Sequence, residues 1–141
     1  MKKNASAVWS GDLKTGKGSI STESGALSNA QYGFNTRFEN GPGTNPEELI
    51  AAAHAGCFTM ALSAQLGNAG LKAQKIETSA AVNMEKLEKG WTITDVHLQV
   101  KANVPGADQA AFEKCANEAK AGCPISRLLN AKITMTAQLV K

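Results

Sequence analysis

The sequence predicts an α+β fold with mostly antiparallel strands. Three observations carry that prediction. The first third alternates in short segments broken by turn residues. A well-marked helix start follows at Asn45. Two long strand patterns joined by a hairpin signal then precede a second capped helix and a last strand.

At 141 residues the chain fits one domain, residues 1–141. Its hydrophobic fraction of 43% can build a core, but two Trp, one Tyr and four Phe are the only aromatics, so that core must be mostly Ala, Val, Ile, Leu and Met. A formal charge of +3 with no Lys/Arg run argues against a nucleic-acid surface. Met1 to Ser10 is basic but has no apolar segment behind it, so it is not a signal peptide. No stretch is expected to span a bilayer either, because Leu49 to Gly70 is interrupted by His54, Thr59, Ser63, Gln65 and Asn68. A soluble cytoplasmic protein is the expectation. Three cysteines, an odd number, fit reduced thiols better than a disulfide framework, and any disulfide would be transient.

Along the chain, Ser6 to Trp9 alternates, Gly11 and Asp12 turn, and Lys17 to Thr22 gives a second strand, together a β-meander. Ser24, Gly25, Ser28 and Asn29 form a loop, Tyr32 to Phe38 reads as extended, and Asn40-Gly41-Pro42-Gly43 breaks the chain. Asn45 is a good N-cap, Pro46 suits the first helical position, and Glu48 sits where a capping-box partner would. The helix should run to about Leu66 and stop at Gly67 or Gly70. Leu49, Ile50, Ala53, Cys57, Phe58, Ala61, Leu62 and Leu66 leave it almost no charged face after Glu48, and a helix apolar all round is buried all round. One sheet covers one side, so the other side is expected to meet the same helix of a second copy in a homodimer.

Ile76 to Met84 and Trp91 to Val104 read as strands joined across Glu88-Lys89-Gly90, and Pro105-Gly106 ends the pair. Asp108 should cap a helix through about Ala121 with Gly122 as its stop, and Pro124 should open a short helix toward Leu129. Ile133 to Val140 closes the chain as a strand.

The chemistry sits in two cysteines, each beside helix-terminating residues: Cys57 in T-N-P-E-E-L-I-A-A-A-H-A-G-C-F and Cys123 in K-A-G-C-P-I-S. Only the thiolate is a strong nucleophile, and a mid-helix Cys57 gains little from the helix dipole, so it needs a cation from elsewhere. Arg37 in N-T-R-F-E is the nearest good candidate in sequence, and Glu47 could hold it through a two-point carboxylate pair. Ten residues of helix put Glu47 about 15 Å from Cys57, so Arg37 would have to bridge, or Glu47 would come from a partner subunit. Cys123 precedes Pro124 at a helix N-terminus, where free amides favour a thiolate, and local physics makes it the more acidic thiol. Cys115, with Phe112 on its helix, reads as packing.

Each residue also has a plainer reading: Cys57 as a small hydrophobe, Arg37 as a surface residue, Glu47 as a first-turn acid, Cys123 as an N-cap stand-in. Two other chemistries compete. Zinc could use His54 and Cys57, one turn apart, with Cys123, although no Cys-x-x-Cys pair or fourth ligand accompanies them. A cysteine hydrolase could use His54 as base, but a mid-helix thiol has no free amides to form an oxyanion hole. His97 falls in a strand pattern and reads as a sheet residue.

These residues bring the chain close to a known family. From W-S-G-D-L-K-T-G-K-G through Y-G-F-N-T-R-F-E, the Gly43 to Phe58 helix and A-G-C-P to the last strand, it resembles the OsmC/Ohr thiol peroxidases, in particular their osmotically inducible branch. The resemblance implies an intertwined homodimer, its central helices wrapped by sheets and its two active sites at the interface. It also implies reduction of organic hydroperoxides, and hydrogen peroxide less well, in oxidative and osmotic stress defence. By motif, Cys57 takes the place of the peroxidatic thiol and Cys123 that of the resolving thiol, against the local ranking of acidity, while Arg37 and Glu47 take the place of the activating pair. The implied cycle runs through a Cys57 sulfenic acid and a Cys57–Cys123 disulfide restored by a dithiol, which a lipoyl-bearing protein could supply. No metal, flavin or other cofactor is implied. The competing function is a peroxide sensor or small-ligand binding module that uses the same thiol pair without turnover.

Overall fold

The computed structural model describes residues 1–141, which divide into two compact units, Met1–Leu49 and Ile50–Lys141.

In the first unit, β1 (Ala5–Ser10), β2 (Lys17–Thr22) and β3 (Ala30–Tyr32) form an antiparallel meander in sequence order. The turn before β2 is closed by Asp12, which accepts from both the amide and the hydroxyl of Thr15. The extended segment expected from Tyr32 to Phe38 is corrected: the strand stops at Tyr32, and Phe34–Phe38 is a single helical turn, α1. Its cause is local. The Thr36 hydroxyl accepts from the Gly33 amide and donates to the Gly33 carbonyl, at 2.8 and 2.9 Å, folding the chain back on itself. Phe34 and Phe38, four apart, then pack with tilted rings whose centroids are 4.9 Å apart.

Gly43, at φ +123°, carries the chain from α1 into the next helix where an added Cβ would strike the Gln31 carbonyl. Asn45 caps that helix: its side-chain oxygen accepts from the Glu48 amide at 2.7 Å, and its amide group donates to the Thr36 carbonyl at 3.0 Å. The expected capping box is half formed, because the Glu48 carboxylate accepts from the Thr44 hydroxyl at 2.8 Å.

The helix itself, α2 (Pro46–Asn68), carries the chain into the second unit. There β4 (Lys75–Leu87) and β5 (Gly90–Asn103) make a long antiparallel hairpin with a bulge at Asn83/Met84. After α3 (Gln109–Gly122) and α4 (Pro124–Leu128), β6 (Lys132–Val140) returns beside β5 in parallel, giving the sheet order β4-β5-β6. A parallel return requires a crossover, and α3 with α4 is that crossover. Asp108 caps α3 by accepting from the Ala111 amide at 2.7 Å. Gly122 is the last residue of α3, as expected within a residue, and Cys123 caps both the end of α3 and the start of α4.

The core lies between helices and sheet. His54, Phe58, Leu62 and Leu66 recur every four residues along α2, Phe112, Cys115, Ala116 and Ala119 stripe α3, and Val96, Leu98, Val100 and Ala102 line one face of β5. Full burial of each large aliphatic or aromatic side chain contributes about 1.5–3 kcal/mol. Within one chain α2 is not buried all round, as the sequence suggested: Ala52, Ala53, Gly56, Met60, Ser63, Ala64 and Gly67 are exposed. With a mean hydropathy of 1.4, α2 is also long and apolar enough, by length and composition, to cross a membrane, where no such segment was expected. Its buried stripe is that of a core helix.

Candidate active site

In the first unit, α1 and the start of α2 bring Arg37 to Glu47. Arg37 Nε lies 2.9 Å and Nη2 2.7 Å from Glu47 Oε1, so two donors converge on one oxygen instead of forming the expected two-point pair. Glu47 Oε2 is buried without a partner. Glu47 keeps 13% of its side chain exposed and Arg37 39%, which makes the carboxylate the fixed anchor and the guanidinium the accessible end. Both residues belong to the same chain. The guanidinium also lies 5.5 Å from the Phe38 ring centroid, within cation–π range. It walls a cavity of about 290 Å³ lined by Trp9, Leu13, Tyr32, Phe34 and Phe38.

In the second unit, two pairs of side chains three residues apart face each other. His54 and Cys57 lie one turn apart on α2, and Cys123 and Ser126 lie one turn apart at the start of α4. They meet as two rungs: Cys57 Sγ to Cys123 Sγ at 3.0 Å, and His54 Nε2 to Ser126 Oγ at 2.7 Å. All three cysteines are free thiols. Cys123 continues the buried stripe of α3, which turns its thiol inward, while Cys57 is half-buried beside Phe58. Cys115 donates to the Gln65 carbonyl at 3.6 Å and belongs to the core.

The two thiols differ in acidity. Burial pushes Cys57 up, and its hydrogen bond and charge interaction with Cys123 push the same way against the Ile125 amide. Burial also acts to raise Cys123, but its hydrogen bond with Cys57, the amide and hydroxyl of Ser126 and the Ile125 amide outweigh it and hold Cys123 below the ordinary thiol value. The contacts at the start of α4 thus favour the charged form of Cys123, while the surroundings of Cys57 oppose its charged form. A Cys57 thiolate needs a further cation.

His54 is fully buried, and burial holds its pKa below the usual imidazole value. Its Nε2 engages Ser126, and Nδ1 has no partner. No group of three or more His, Cys, Asp or Glu side chains is placed to hold a metal ion. His97 bonds Thr134 and Thr136 in the sheet. Sequence reasoning passed over Ser126 as a site residue. Its signal was the three-residue step from Cys123 across a helix start, the spacing of a cap and its partner.

Two reduced thiols in contact on an α+β scaffold define a protein equipped for dithiol–disulfide chemistry. The family model of OsmC-like proteins matches residues 39–138. Over 137 residues the chain is 53% identical to Peroxiredoxin OsmC of Escherichia coli K12, covering 97% of this chain and 96% of that one. It is 31% identical to the Organic hydroperoxide resistance protein of Xanthomonas axonopodis pv. citri, covering 70% and 68%. Among solved structures, an OsmC-like protein of unknown function from Vibrio cholerae superposes with a TM-score of 0.78 at 15% identity, covering 97% and 99% of the two chains. An organic hydroperoxide resistance protein from Elizabethkingia anophelis gives 0.76 at 22%, covering 99% of each. The chain belongs to the OsmC-like protein family.

Proposed function

We infer that this chain is a cysteine-based peroxidase that reduces organic hydroperoxides to alcohol and water, working as one domain over residues 1–141. The observation that carries the reading is the contact of Cys57 and Cys123 at 3.0 Å in a chain 53% identical to a peroxiredoxin. In this reading the Cys57 thiolate attacks the outer peroxide oxygen, alkoxide leaves, and Cys57 becomes a sulfenic acid. Cys123 condenses with it to a disulfide and water, and a dithiol, which a lipoyl-bearing protein could supply, restores both thiols by exchange.

Arg37 is the cation assigned to the Cys57 thiolate and to the peroxide oxygens, with Glu47 as its anchor. Its support is the convergence of two guanidinium donors on a mostly buried carboxylate. The aromatic and aliphatic cavity walled by Arg37 suits an alkyl or aryl hydroperoxide better than a strongly polar substrate. A homodimer is part of the reading. The exposed Ala52, Gly56, Met60, Ser63 and Gly67 strip on α2 lets a second copy approach closely. The expected setting is the cytoplasm.

The test is a peptide map after one equivalent of cumene hydroperoxide, with thiols trapped before digestion. A Cys57–Cys123 disulfide with Cys115 free is expected. Three unmodified thiols would sink the peroxidase assignment. Cys57→Ser should abolish peroxide consumption with a dithiol present, whereas Cys123→Ser should stop at the sulfenic acid and over-oxidise. A disulfide that forms but is not turned over by any dithiol would favour a sensor instead.

A further inference from the structure

The thiol pair has a second rung behind it that the peroxidase reading leaves unused. His54 is fully buried, its Nε2 is 2.7 Å from Ser126 Oγ, and its Nδ1 has no partner. A buried N–H left unpaired is rarer in folded proteins than an unused acceptor, so the proton is assigned to Nε2 and the bare lone pair to Nδ1. His54 Nε2–H then donates to Ser126 Oγ. That leaves the serine hydroxyl free to donate, and Ser126 is three residues beyond Cys123 across the start of α4. Burial lowers the His54 pKa and so favours the neutral imidazole, whose single N–H is then the one on Nε2.

We propose that His54 and Ser126 are positioning residues for the second chemical step, an ordered donor chain from His54 Nε2–H through Ser126 Oγ–H to Cys123 Sγ that holds Cys123 as the aimed nucleophile for the oxidised Cys57. The inference rests on Cys57 and Cys123 being the peroxidatic and resolving thiols. In that step the Cys123 thiolate attacks the sulfur of Cys57–SOH, the S–S bond forms as the S–O bond breaks, and hydroxide leaves to take a proton from solvent as water. Cys123 is oxidised and Cys57 reduced to the disulfide level. The donor chain is not consumed. It polarises toward sulfur before the attack and relaxes as the sulfur loses its charge.

The same relay has the opposite influence on the first step. When the touching thiols carry a single negative charge between them, a donor aimed at Cys123 draws that charge away from Cys57. Removing the Ser126 hydroxyl should therefore slow disulfide formation while leaving sulfenic acid formation no slower. A purely structural role for Ser126 would slow both.

The experiment is single-turnover stopped flow on the full chain with cumene hydroperoxide, following peroxide loss and disulfide formation separately, with dimedone trapping of the sulfenic acid. Ser126→Ala is expected to lower the rate of the second step relative to the first by roughly tenfold or more, with sulfenic acid accumulating. Ser126→Thr keeps the hydroxyl and should restore the ratio. His54→Gln, whose amide can donate from the Nε2 position, should stay close to the wild type, and His54→Leu should behave as Ser126→Ala. If His54→Leu fails to fold, the serine variants decide the matter. Disulfide formation at wild-type speed in Ser126→Ala, or equal slowing of both steps, would overturn the proposal. Absence of a Cys57–Cys123 disulfide in the wild type would overturn the peroxidase reading itself.

Discussion

The two units of this chain are built on different principles. Ile50–Lys141 has a conventional interior: Phe58, Leu62, Leu66, Val96, Leu98 and Phe112 are fully buried. Met1–Leu49 buries no large hydrophobic side chain, its buried residues are Gly33 and Thr36, and Val8, Trp9 and Leu13 stand exposed. Fewer than fifty residues rarely enclose a core alone. Hydrogen-bonded turns and caps take its place, at Asp12, Thr36, Asn45 and Glu47. The difference teaches that the thiols sit where packing makes geometry rigid, while the arginine sits where polar contacts hold it and could let it adjust.

Mutation should separate the two kinds of stability. Phe58→Ala is expected to cost about 3–5 kcal/mol in denaturant unfolding, because it opens a cavity in a closed core. Val8→Ala in β1 should cost under about 0.5 kcal/mol if the strand faces water. A larger effect that depends on protein concentration would mean that a second copy covers β1.

Next in size, Arg37→Lys should lower kcat/KM for an organic hydroperoxide roughly tenfold, since a point charge cannot place two donors on Glu47 Oε1. Unchanged kcat/KM would remove the guanidinium from the mechanism. Smaller still is a pH effect confined to the packed unit. His54 is held below its unfolded pKa of 6.5, so the unfolded chain takes up the proton first as pH falls. The stability tied to neutral His54 is thus complete above that value and is lost as pH drops through about 6.5. The drop in thermal midpoint between about pH 7.5 and about pH 5.5 should shrink in His54→Gln. An undiminished drop would assign it to other groups. At the bottom of the scale, Lys75→Ala should leave the midpoint where it is, because the Lys75–Glu77 pair is 70% and 61% exposed. A measurable loss would show that exposed pairs matter more here than their solvation allows.

Legibility in the sequence followed the range of the interaction. The start of α2 was readable because Asn45 and Pro46 act within one turn, and the β4–β5 hairpin because its turn is local. The short helix α1 was missed although Phe34 and Phe38 have helical spacing, since a single turn held by Thr36 on Gly33 leaves no periodicity to read. The parallel seat of β6 beside β5 is set by a crossover, which no local pattern encodes. At the site, the residue types that favour thiol chemistry were visible. The meeting of Cys57 with Cys123, 66 residues apart, was not, and neither was the His54–Ser126 rung across 72. The pairing of the cysteines was implied by resemblance alone.

Cys123 is the single residue between two helices, the C-cap of α3 and the N-cap of α4, and its sulfur already touches that of Cys57. A disulfide is about 2.05 Å long, so oxidation would draw the sulfurs together by only about 1 Å. A rotamer adjustment absorbs that, and neither helix has to travel. A messenger needs two shapes that another molecule can tell apart, and a pair so nearly closed before it reacts offers one. Such an arrangement returns quickly to its starting state and broadcasts little, which suits a worker better than a reporter.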